Sequence, residues 1–324
     1  MTDTAKTRII FMGTPDFAVP PLQALAARND FEICLVVTQP DRPKGRGRKP
    51  APPPVKKAAQ ALGLDIYQPE KLNTDDAAAR LSAPAPDYFV VAAFGQILSQ
   101  RILDIPTKYP VNIHASLLPK YRGAAPIQAA IRNMEKMTGV TTMVMAKALD
   151  AGDMLLQAAT PIHPEDTAQR LHDRLSAMGA DLIIKTIDRL NTSRLTPTPQ
   201  DHDKASYAPM LKKQDGCIDW ALSSGQVVAH VNAMNPWPGA FTHLGETRLK
   251  IFAAAAEDGD FGDDIGQDIP ALPGTICALD GRGIHVAAGK GKVIIQELMG
   301  TSGKRMAADA FLRGHPIDLP ARFA

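Results

Sequence analysis

Apolar positions follow two different patterns along this chain, and the change falls between residues 191 and 206. In the first part, short continuous apolar runs alternate with segments whose apolar side chains recur at helical spacing;. The runs end at turn-forming residues such as Gly13 and Pro15. They predict strands at residues 8–12, 33–38, 66–68, 88–92, 111–114 and 141–146, and helices at 21–25, 55–62, 75–81, 125–132 and 167–190;.

Strands that alternate with helices are typical of an α/β fold. We predict a Rossmann-like, doubly wound, mostly parallel sheet with helices on both faces. Ligands of such sheets bind beyond the carboxyl ends of the strands. The residues at or just after predicted strand ends are therefore expected to share one cleft, and they are Gly13, Phe94, His114 and Asp150.

The second part of the chain has a different character. Residues 191–206 are polar and proline-rich, which is the composition of a linker;. Beyond them, alternating apolar and polar side chains at residues 247–252, 283–287 and 292–296 lie between Gly and Pro turns. This pattern predicts a smaller antiparallel β-barrel. The predicted organisation is a first domain over 1–190, a linker over 191–206 and a second domain over 207–324.

Composition limits the class of protein. A chain of 324 residues with 45% hydrophobic residues suits two globular domains;. No apolar run reaches the length of a bilayer-spanning helix, and residues 1–8 lack the apolar core of a signal peptide;. The cysteines, Cys34, Cys217 and Cys277, fit neither a disulfide framework nor a zinc-ligand spacing;. We therefore expect a cytoplasmic protein with no metal and no membrane contact, and a monomer.

The net charge of +2 conceals one basic segment. Residues 38–57 contain seven Lys or Arg and one acid, Asp41, in a Gly- and Pro-rich context. Such a run is most often a solvated loop, but arginines beside glycines also suit phosphate binding. The segment lacks the ending of a nucleoside-triphosphate loop, and the turn at Gly13 lacks the dinucleotide pattern. We therefore expect neither a nicotinamide nor a flavin cofactor.

One motif offers an amide, an imidazole and a carboxylate on two short segments. Asn112 and His114 are two residues apart, so on a strand their side chains point to the same face. Asp150 precedes a turn from which its carboxylate is within reach of His114. Taken alone, such residues are more often a structural hydrogen-bonded pair and a turn residue. As chemical groups they suit acyl transfer to an amine, with Asn112 and His114 stabilising the oxyanion and His114 and Asp150 assisting proton transfer.

The surrounding sequence resembles the tetrahydrofolate-dependent formyltransferases. It reads Asn-x-His-x-Ser-Leu-Leu-Pro at residues 112–119 and Leu-Asp-x-Gly at 149–152, with Asp150 placed 36 positions after His114. The likeness extends over nearly the whole chain. It implies catalytic roles for Asn112, His114 and Asp150, 10-formyltetrahydrofolate as the formyl-donor co-substrate, and a second domain of the oligonucleotide-binding (OB-like) barrel type. The chain departs from the family at Lys147, where an acid is common, and this affects only the strand surface.

The resemblance also implies folate and nucleic-acid contacts. Two strand-exit segments are expected to line the folate, and their residues are Ser116, Leu117, Leu118, Pro119, Phe94, Gly95, Ile97 and Leu98. The longer form of the motif, residues 116–128, resembles the branch of the family whose partner is initiator methionyl-tRNA. In that branch the basic insertion contacts the acceptor arm. The implied tRNA-binding residues are Arg42, Lys44, Arg46, Arg48 and Lys49, with Lys304 and Arg305 in the second domain.

The charge of the second domain is unusual for RNA binding. Residues 207–324 hold 11 Lys or Arg and 13 Asp or Glu, and six of these acids lie in 257–268;. We expect the acidic stretch to be a surface loop that points away from the RNA.

Three other functions remain open. They are formyl transfer to a different amine such as an amino sugar nucleotide, hydrolysis of formyltetrahydrofolate, and RNA binding without catalysis. A small acceptor requires neither the basic segment nor a second domain, and pure binding gives no reason to place Asn112, His114 and Asp150 together. Only an assay separates transfer from hydrolysis.

Overall fold

The computed structural model describes residues 6–44, 49–257 and 272–324. The helices are α1 (Val19–Ala26), α2 (Pro54–Ala61), α3 (Asp75–Ser82), α4 (Gln100–Leu103), α5 (Pro126–Arg132), α6 (Ala168–Asn191), α7 (Ser224–Met234) and α8 (Ala308–Gly314), with short 3-10 turns at Asp16–Ala18, His202–Lys204 and Lys213–Gly216. Within these ranges, no helix combines the length and the apolar character that crossing a bilayer requires.

The strands are β1 (Thr7–Gly13), β2 (Phe31–Val37), β3 (Arg42–Lys44), β4 (Lys49–Ala51), β5 (Ile66–Tyr67), β6 (Tyr88–Ala92), β7 (Tyr109–His114), β8 (Arg122–Gly123), β9 (Met137–Val144), β10 (Met154–Pro161), β11 (Tyr207–Ala208), β12 (Ala240–Leu244), β13 (Thr247–Glu257), β14 (Thr275–Asp280), β15 (Gly283–Ala287), β16 (Lys292–Met299), β17 (Arg305–Ala307) and β18 (Ala321–Arg322). Every predicted helix is present, and its ends are displaced by at most two residues.

The chain divides into two compact units. Residues 191–206, whose composition indicated a linker, fall within the first unit. The first unit comprises Met1–Pro126, Met137–Thr160 and His172–Ala208, and the second comprises Ile127–Lys136, Pro161–Leu171 and Pro209–Ala324.

The first unit is built on a sheet with the strand order β10-β9-β7-β6-β1-β2-β5. The pairs β1–β2, β1–β6, β2–β5 and β6–β7 are parallel, while β7 and β9 are antiparallel. The central strand β1 is apolar on both faces, because Ile9, Ile10, Phe11 and Met12 are all completely buried;. The predicted α/β fold with a mostly parallel sheet is confirmed.

Strand β10, at the edge of this sheet, was not among the predicted strands. Of its eight residues only Leu155 and Thr160 are buried, at 7% and 8% exposure, and the other six are half-buried or exposed. Gln157 and Thr160 interrupt any continuous apolar run in it, so apolar runs alone do not predict this strand.

The second unit contains an antiparallel sheet. Its order is β12-β13-β16-β15-β14-β18, with β17 paired to β16. The register between β13 and β16 shifts near Ala253, and such bulges bend and twist a sheet;. In its core the Trp220 indole donates to the Thr242 hydroxyl at 2.9 Å and stacks on Phe323. The predicted antiparallel second domain is confirmed, while the acidic stretch from residue 258 to 268 lies outside the described residues.

A buried histidine on α7 makes the second unit sensitive to acid. His230 is only 7% exposed, and its Nε2 atom has no hydrogen-bond partner among the described residues. Burial lowers the pKa of His230, while a hydrogen bond with the Gly216 backbone partly opposes the shift;. His230 therefore binds a proton less readily in the folded chain than in the unfolded chain.

We predict that this part of the acid sensitivity disappears in His230→Phe. The pKa of an unfolded histidine is about 6.5, and the pKa of folded His230 lies below it;. The stability that neutral His230 provides is complete above the unfolded pKa and falls as the pH drops towards the folded one. When the pH is lowered from about 7.5 to about 5.5, the apparent melting temperature should fall less in His230→Phe than in the parent protein. An equal fall in both proteins would contradict the prediction.

Candidate active site

The carboxyl ends of three neighbouring parallel strands form the edge on which the site is built. Gly13 of β1 lies beside Ala92 of β6, and Val91 of β6 lies beside Asn112 of β7. The Thr14 hydroxyl, which follows β1, donates to the carbonyl oxygen of Phe94 at 2.7 Å. The segments after these strands are therefore tied together at one edge, as the sequence pattern predicts.

Strand β7 places Asn112 and His114 on one face. The two residues alternate with the buried Ile113, so both side chains point away from it;. His114 is 6% exposed and Asn112 is half-buried. Among the described residues, none hydrogen-bonds the side-chain amide of Asn112. That amide is free to bind a ligand.

Asp150 reaches His114 by a route that differs from the expected one. The sequence pattern placed Asp150 just after a strand ending at residue 146, but β9 ends at Val144 and runs antiparallel to β7. Its final residue lies beside Val111, while Thr141 lies beside His114. The loop 145–153 after β9 carries the Asp150 carboxylate to within 3.7 Å of Nδ1 of His114.

Backbone groups of Tyr121 and Gly123, in the segment after β7, bind the side chains of His114 and Asp150. Nε2 of His114 lies 2.9 Å from the Tyr121 carbonyl oxygen. Because a carbonyl can only accept, Nε2 carries a proton and Nδ1 is the nitrogen that faces Asp150. The Gly123 N–H donates to Oδ2 of Asp150 at 2.8 Å. These contacts could not be predicted from the sequence, since backbone groups have no residue signature, although Tyr121 and Gly123 lie inside the motif.

The environment of the His114–Asp150 pair strengthens its electrostatic interaction. The two side chains are 7% and 13% exposed, so little water screens them;. Their separation of 3.7 Å exceeds a hydrogen bond and is short enough for an ion pair once His114 is protonated;. The carboxylate can thus stabilise an imidazolium while Nδ1 exchanges its proton with a ligand.

Hydrogen bonds hold the first predicted folate segment, residues 116–119. The Ser116 hydroxyl donates to Lys120 O at 2.6 Å, and Thr141 donates its hydroxyl to Ser116 O at 2.7 Å. Gln157 on β10 donates to the carbonyl oxygen of Leu118 at 2.9 Å. Leu118 is buried, whereas Leu117 and Pro119 are half-buried. The latter two therefore have surface available for a ligand.

The second predicted folate segment divides into two groups. Phe94 and Leu98 are 2% and 4% exposed and pack in the core cluster that also contains Met12 and Val91. Ile97 is 80% exposed, and Gly95 is exposed with φ of +88°. Gly95 and Ile97 thus lie on the surface, while Phe94 and Leu98 anchor the segment in the core.

The predicted nucleic-acid contacts are placed on separate elements. Arg42 is exposed on β3, and β3 and β4 form a hairpin in which the backbones of Lys44 and Lys49 pair. Arg46 and Arg48 lie outside the described residues.

The two candidates in the second unit differ from each other. Lys304 is exposed, whereas the Arg305 guanidinium pairs with Glu297 and lies 4.9 Å from the Phe252 ring centre. Arg305 therefore already has partners within its unit. In the described ranges, no cluster of His, Cys, Asp and Glu has the arrangement of a metal site.

Comparison with known proteins defines the class of this chain. The Formyl transferase family model matches residues 7–187, and the model of the Formyl transferase C-terminal domain matches residues 210–316. The chain belongs to the formyl transferase family. It is 48% identical to the methionyl-tRNA formyltransferase of Trichlorobacter lovleyi, over 96% of this chain and 95% of that one. The methionyl-tRNA formyltransferase of Geobacter sulfurreducens is 47% identical, over 97% and 96% respectively.

Solved structures share the fold at lower sequence identity. An N-formyltransferase from Helicobacter canadensis, in complex with folinic acid and dTDP-3-aminofucose, has a TM-score of 0.64 and 19% identity, covering 90% of this chain and 99% of its own. HypX from Aquifex aeolicus in complex with tetrahydrofolic acid has a TM-score of 0.60 and 17% identity, covering 95% of this chain and 47% of its own. These likenesses support the architecture described above.

We predict that Gly123→Ala destabilises the site. Gly123 has φ of +110°, and an added Cβ would lie 2.7 Å from the Ala208 carbonyl oxygen on β11. Strain and the clash should together lower the free energy of unfolding by about 1–3 kcal/mol, measured by urea denaturation. Gly63→Ala is the matched control, since Gly63 has φ of +66° with no atom within 4 Å. A loss no greater than that of the control would show that the close approach to β11 is unimportant.

Proposed function

We propose that this chain transfers the formyl group of 10-formyltetrahydrofolate to the α-amino group of methionine on initiator tRNA. The product would be N-formylmethionyl-tRNA for translation initiation. The observation that carries the proposal is the pair formed by His114 and Asp150, both held by the backbone of residues 121–123. Identity of 48% and 47% to two methionyl-tRNA formyltransferases over almost the full length supports the acceptor.

The reaction requires an oxyanion site and a proton carrier. The amine nitrogen attacks the formyl carbon, and the carbonyl oxygen takes up negative charge in a tetrahedral intermediate. The intermediate collapses by breaking the bond from the formyl carbon to N10 of the folate. The attacking nitrogen loses one proton and N10 gains one, so the overall transfer is balanced. No covalent intermediate with the protein is needed.

The site geometry supports distinct roles for the three residues. The Asn112 amide, which no described residue occupies, donates to the oxyanion;. The Nε2 proton of His114 is engaged by Tyr121, so Nδ1 takes the amine proton and returns it, and it also donates to the oxyanion while protonated. Asp150 stabilises the imidazolium from 3.7 Å;.

The folate is proposed to lie against the two strand-exit segments. Leu117, Pro119, Gly95 and Ile97 supply the available surface, with Ser116, Leu118, Phe94 and Leu98 as the buried residues that hold it. Small-molecule sites are usually lined mainly by apolar side chains, as Leu117, Pro119 and Ile97 offer here. The proposed reaction uses the folate as co-substrate and requires no metal.

The tRNA is proposed to contact the basic segment and the second domain, 207–324. Arg42 is exposed, and Arg46, Arg48, Lys44 and Lys49 add positive charge close to it in sequence. Lys304 is the freer of the two candidates in the second domain. An amino sugar nucleotide is the alternative acceptor, since one structural neighbour was solved with dTDP-3-aminofucose, but that neighbour is only 19% identical.

We predict that transfer depends on all three catalytic candidates. Purified protein with 10-formyltetrahydrofolate and methionine-charged initiator tRNA should yield formyl-methionyl-tRNA. Asn112→Ala, His114→Ala and Asp150→Ala should each lower turnover by about two to three orders of magnitude, because each loses transition-state stabilisation. Binding of the tRNA, measured by filter retention, should persist.

The controls separate the alternatives. Free methionine and uncharged tRNA should not be formylated. Loss of the formyl donor without transfer would assign the chain as a hydrolase, and transfer only to an amino sugar nucleotide would change the acceptor. Near-parental turnover in any one variant would remove that residue from the proposed mechanism.

We predict that the basic segment sets the salt dependence of tRNA binding. Replacing Arg42, Arg46 and Arg48 by Gln should weaken binding and flatten the plot of log affinity against log salt, by roughly 0.7–0.9 in slope for each lost phosphate contact. The matched control replaces Lys71, Lys185 and Arg189 by Gln, since these are exposed cations outside the segment. Equal changes in both triple variants would show that only the total charge matters.

A further inference from the structure

The side chain of Gln200 connects the loop that carries Asp150 to a buried arginine. Its Nε2 donates to the carbonyl oxygens of Asp150 and Gly152 at 2.9 and 2.7 Å. Its Oε1 accepts from Nε and Nη2 of Arg122 at 3.1 and 2.7 Å. Gln200 and Arg122 are 5% and 3% exposed. Both donors and both lone pairs of the amide are thus used inside the fold.

These partners allow only one orientation of the Gln200 amide. A flipped amide would set its oxygen against two carbonyl oxygens and its NH₂ group against a guanidinium, which can only donate. Neither arrangement forms a hydrogen bond, and each would leave buried polar groups unsatisfied at a cost in free energy. The Gln200 side chain is therefore fixed in one orientation. Through it, the position of the loop 145–153 depends on the position of Arg122.

Arg122 is itself held by two further contacts. Its Nη2 lies 3.0 Å from Nδ1 of His202, and this nitrogen must accept because the guanidinium only donates. The backbone N–H of Arg122 donates to the carbonyl oxygen of Ser206 at 2.8 Å. Arg122 also stands between Tyr121, which binds His114, and Gly123, which binds Asp150. The segment 200–206 therefore holds Arg122, the residue that lies between the two backbone groups that contact His114 and Asp150.

The Asp150 loop requires such support. Asp150 has φ of +47°, in the left-handed region that residues with a side chain adopt at a cost;. Gly152 lies so close to the Val144 carbonyl oxygen that a Cβ would clash with it. Gln200 binds the carbonyl groups on both sides of Ala151, and so it stabilises the conformation that directs the Asp150 carboxylate towards His114.

We propose that Gln200 is a positioning residue for the formyl-transfer reaction, held in place by Arg122. It keeps the backbone of residues 150–152 in the conformation that directs the Asp150 carboxylate at Nδ1 of His114. The inference rests on the proposed function, in which Asp150 stabilises protonated His114. Gln200 contacts neither the reacting atoms nor the carboxylate, so its effect passes through Asp150.

The test begins with Gln200→Glu, which keeps an acceptor for Arg122 but loses both donors to the loop. A misplaced carboxylate should lower kcat by about 10- to 100-fold. KM for the formyl donor and for the charged tRNA should stay nearly unchanged, because binding surfaces are not altered. If Gln200→Glu does not fold, Arg122→Lys is measured in its place. Arg122→Lys removes the pair of hydrogen bonds that Nε and Nη2 donate to Oε1 of Gln200. A parental kcat in the folded variant would overturn the proposal.

A double-mutant cycle separates positioning from a general structural role. If Gln200 acts through Asp150, adding Gln200→Glu to Asp150→Ala should leave kcat where Asp150→Ala alone sets it. If the two effects multiply in full, Gln200 acts elsewhere and the proposal is wrong. Ser176→Ala is the matched control, since Ser176 is 2% exposed and donates one buried hydrogen bond to Phe17 O at 2.8 Å. It should lower the melting temperature and leave kcat unchanged.

The same experiment distinguishes failure of this inference from failure of the proposed function. Inactive Asp150→Ala with fully active Gln200→Glu would reject only the positioning role. Fully active Asp150→Ala would reject the catalytic assignment of Asp150, and the positioning role with it.

Discussion

The geometry of the candidate site depends on the backbone of residues 121–123. One carbonyl group in this segment binds Nε2 of His114, and one N–H group binds the Asp150 carboxylate. The first contact determines which nitrogen carries the proton, and the second determines where the carboxylate lies. Both contacts depend on the path of residues 121–123. The pairing of β8 with β11, in which Gly123 lies beside Ala208, fixes this path. A side chain at Gly123 would meet the Ala208 carbonyl oxygen, so a glycine is required for this path.

The parallel sheet and the antiparallel strand supply different parts of the site. Strands β1, β6 and β7 bring their carboxyl ends to one edge, where Phe94 and Leu98 anchor the second predicted folate segment in the core. Strand β9 runs in the opposite direction, so only a loop can return Asp150 to that edge. A loop residue with φ of +47° needs external hydrogen bonds, and residues 121–123 and 200 supply them.

The sequence predicted the order of elements well and the connections between them poorly. The continuous apolar run from Ile9 to Met12 marks a central strand, and the two-residue spacing of Asn112 and His114 places them on one face. The direction of β9 could not be predicted from the sequence, because the alternation of its side chains is the same in either direction. The role of Gln200 was also hidden, since its proline-rich surroundings have linker composition and its contacts depend on the path of the whole chain. The hairpin of β3 and β4 was missed because the paired Pro43 and Pro50 disfavour strands;.

Under the proposed function, the tautomer of His114 orders the chemical steps. With Nε2–H held by Tyr121, neutral His114 presents to a substrate only an acceptor nitrogen, Nδ1;. At the start of amine attack, Asn112 is therefore the side-chain donor available to the developing oxyanion. Nδ1 becomes a donor only after it has taken the amine proton, at the moment when Asp150 begins to stabilise the imidazolium;. Proton uptake from the amine thus strengthens the oxyanion site, and return of the same proton to N10 releases it, so a single nitrogen links attack to collapse.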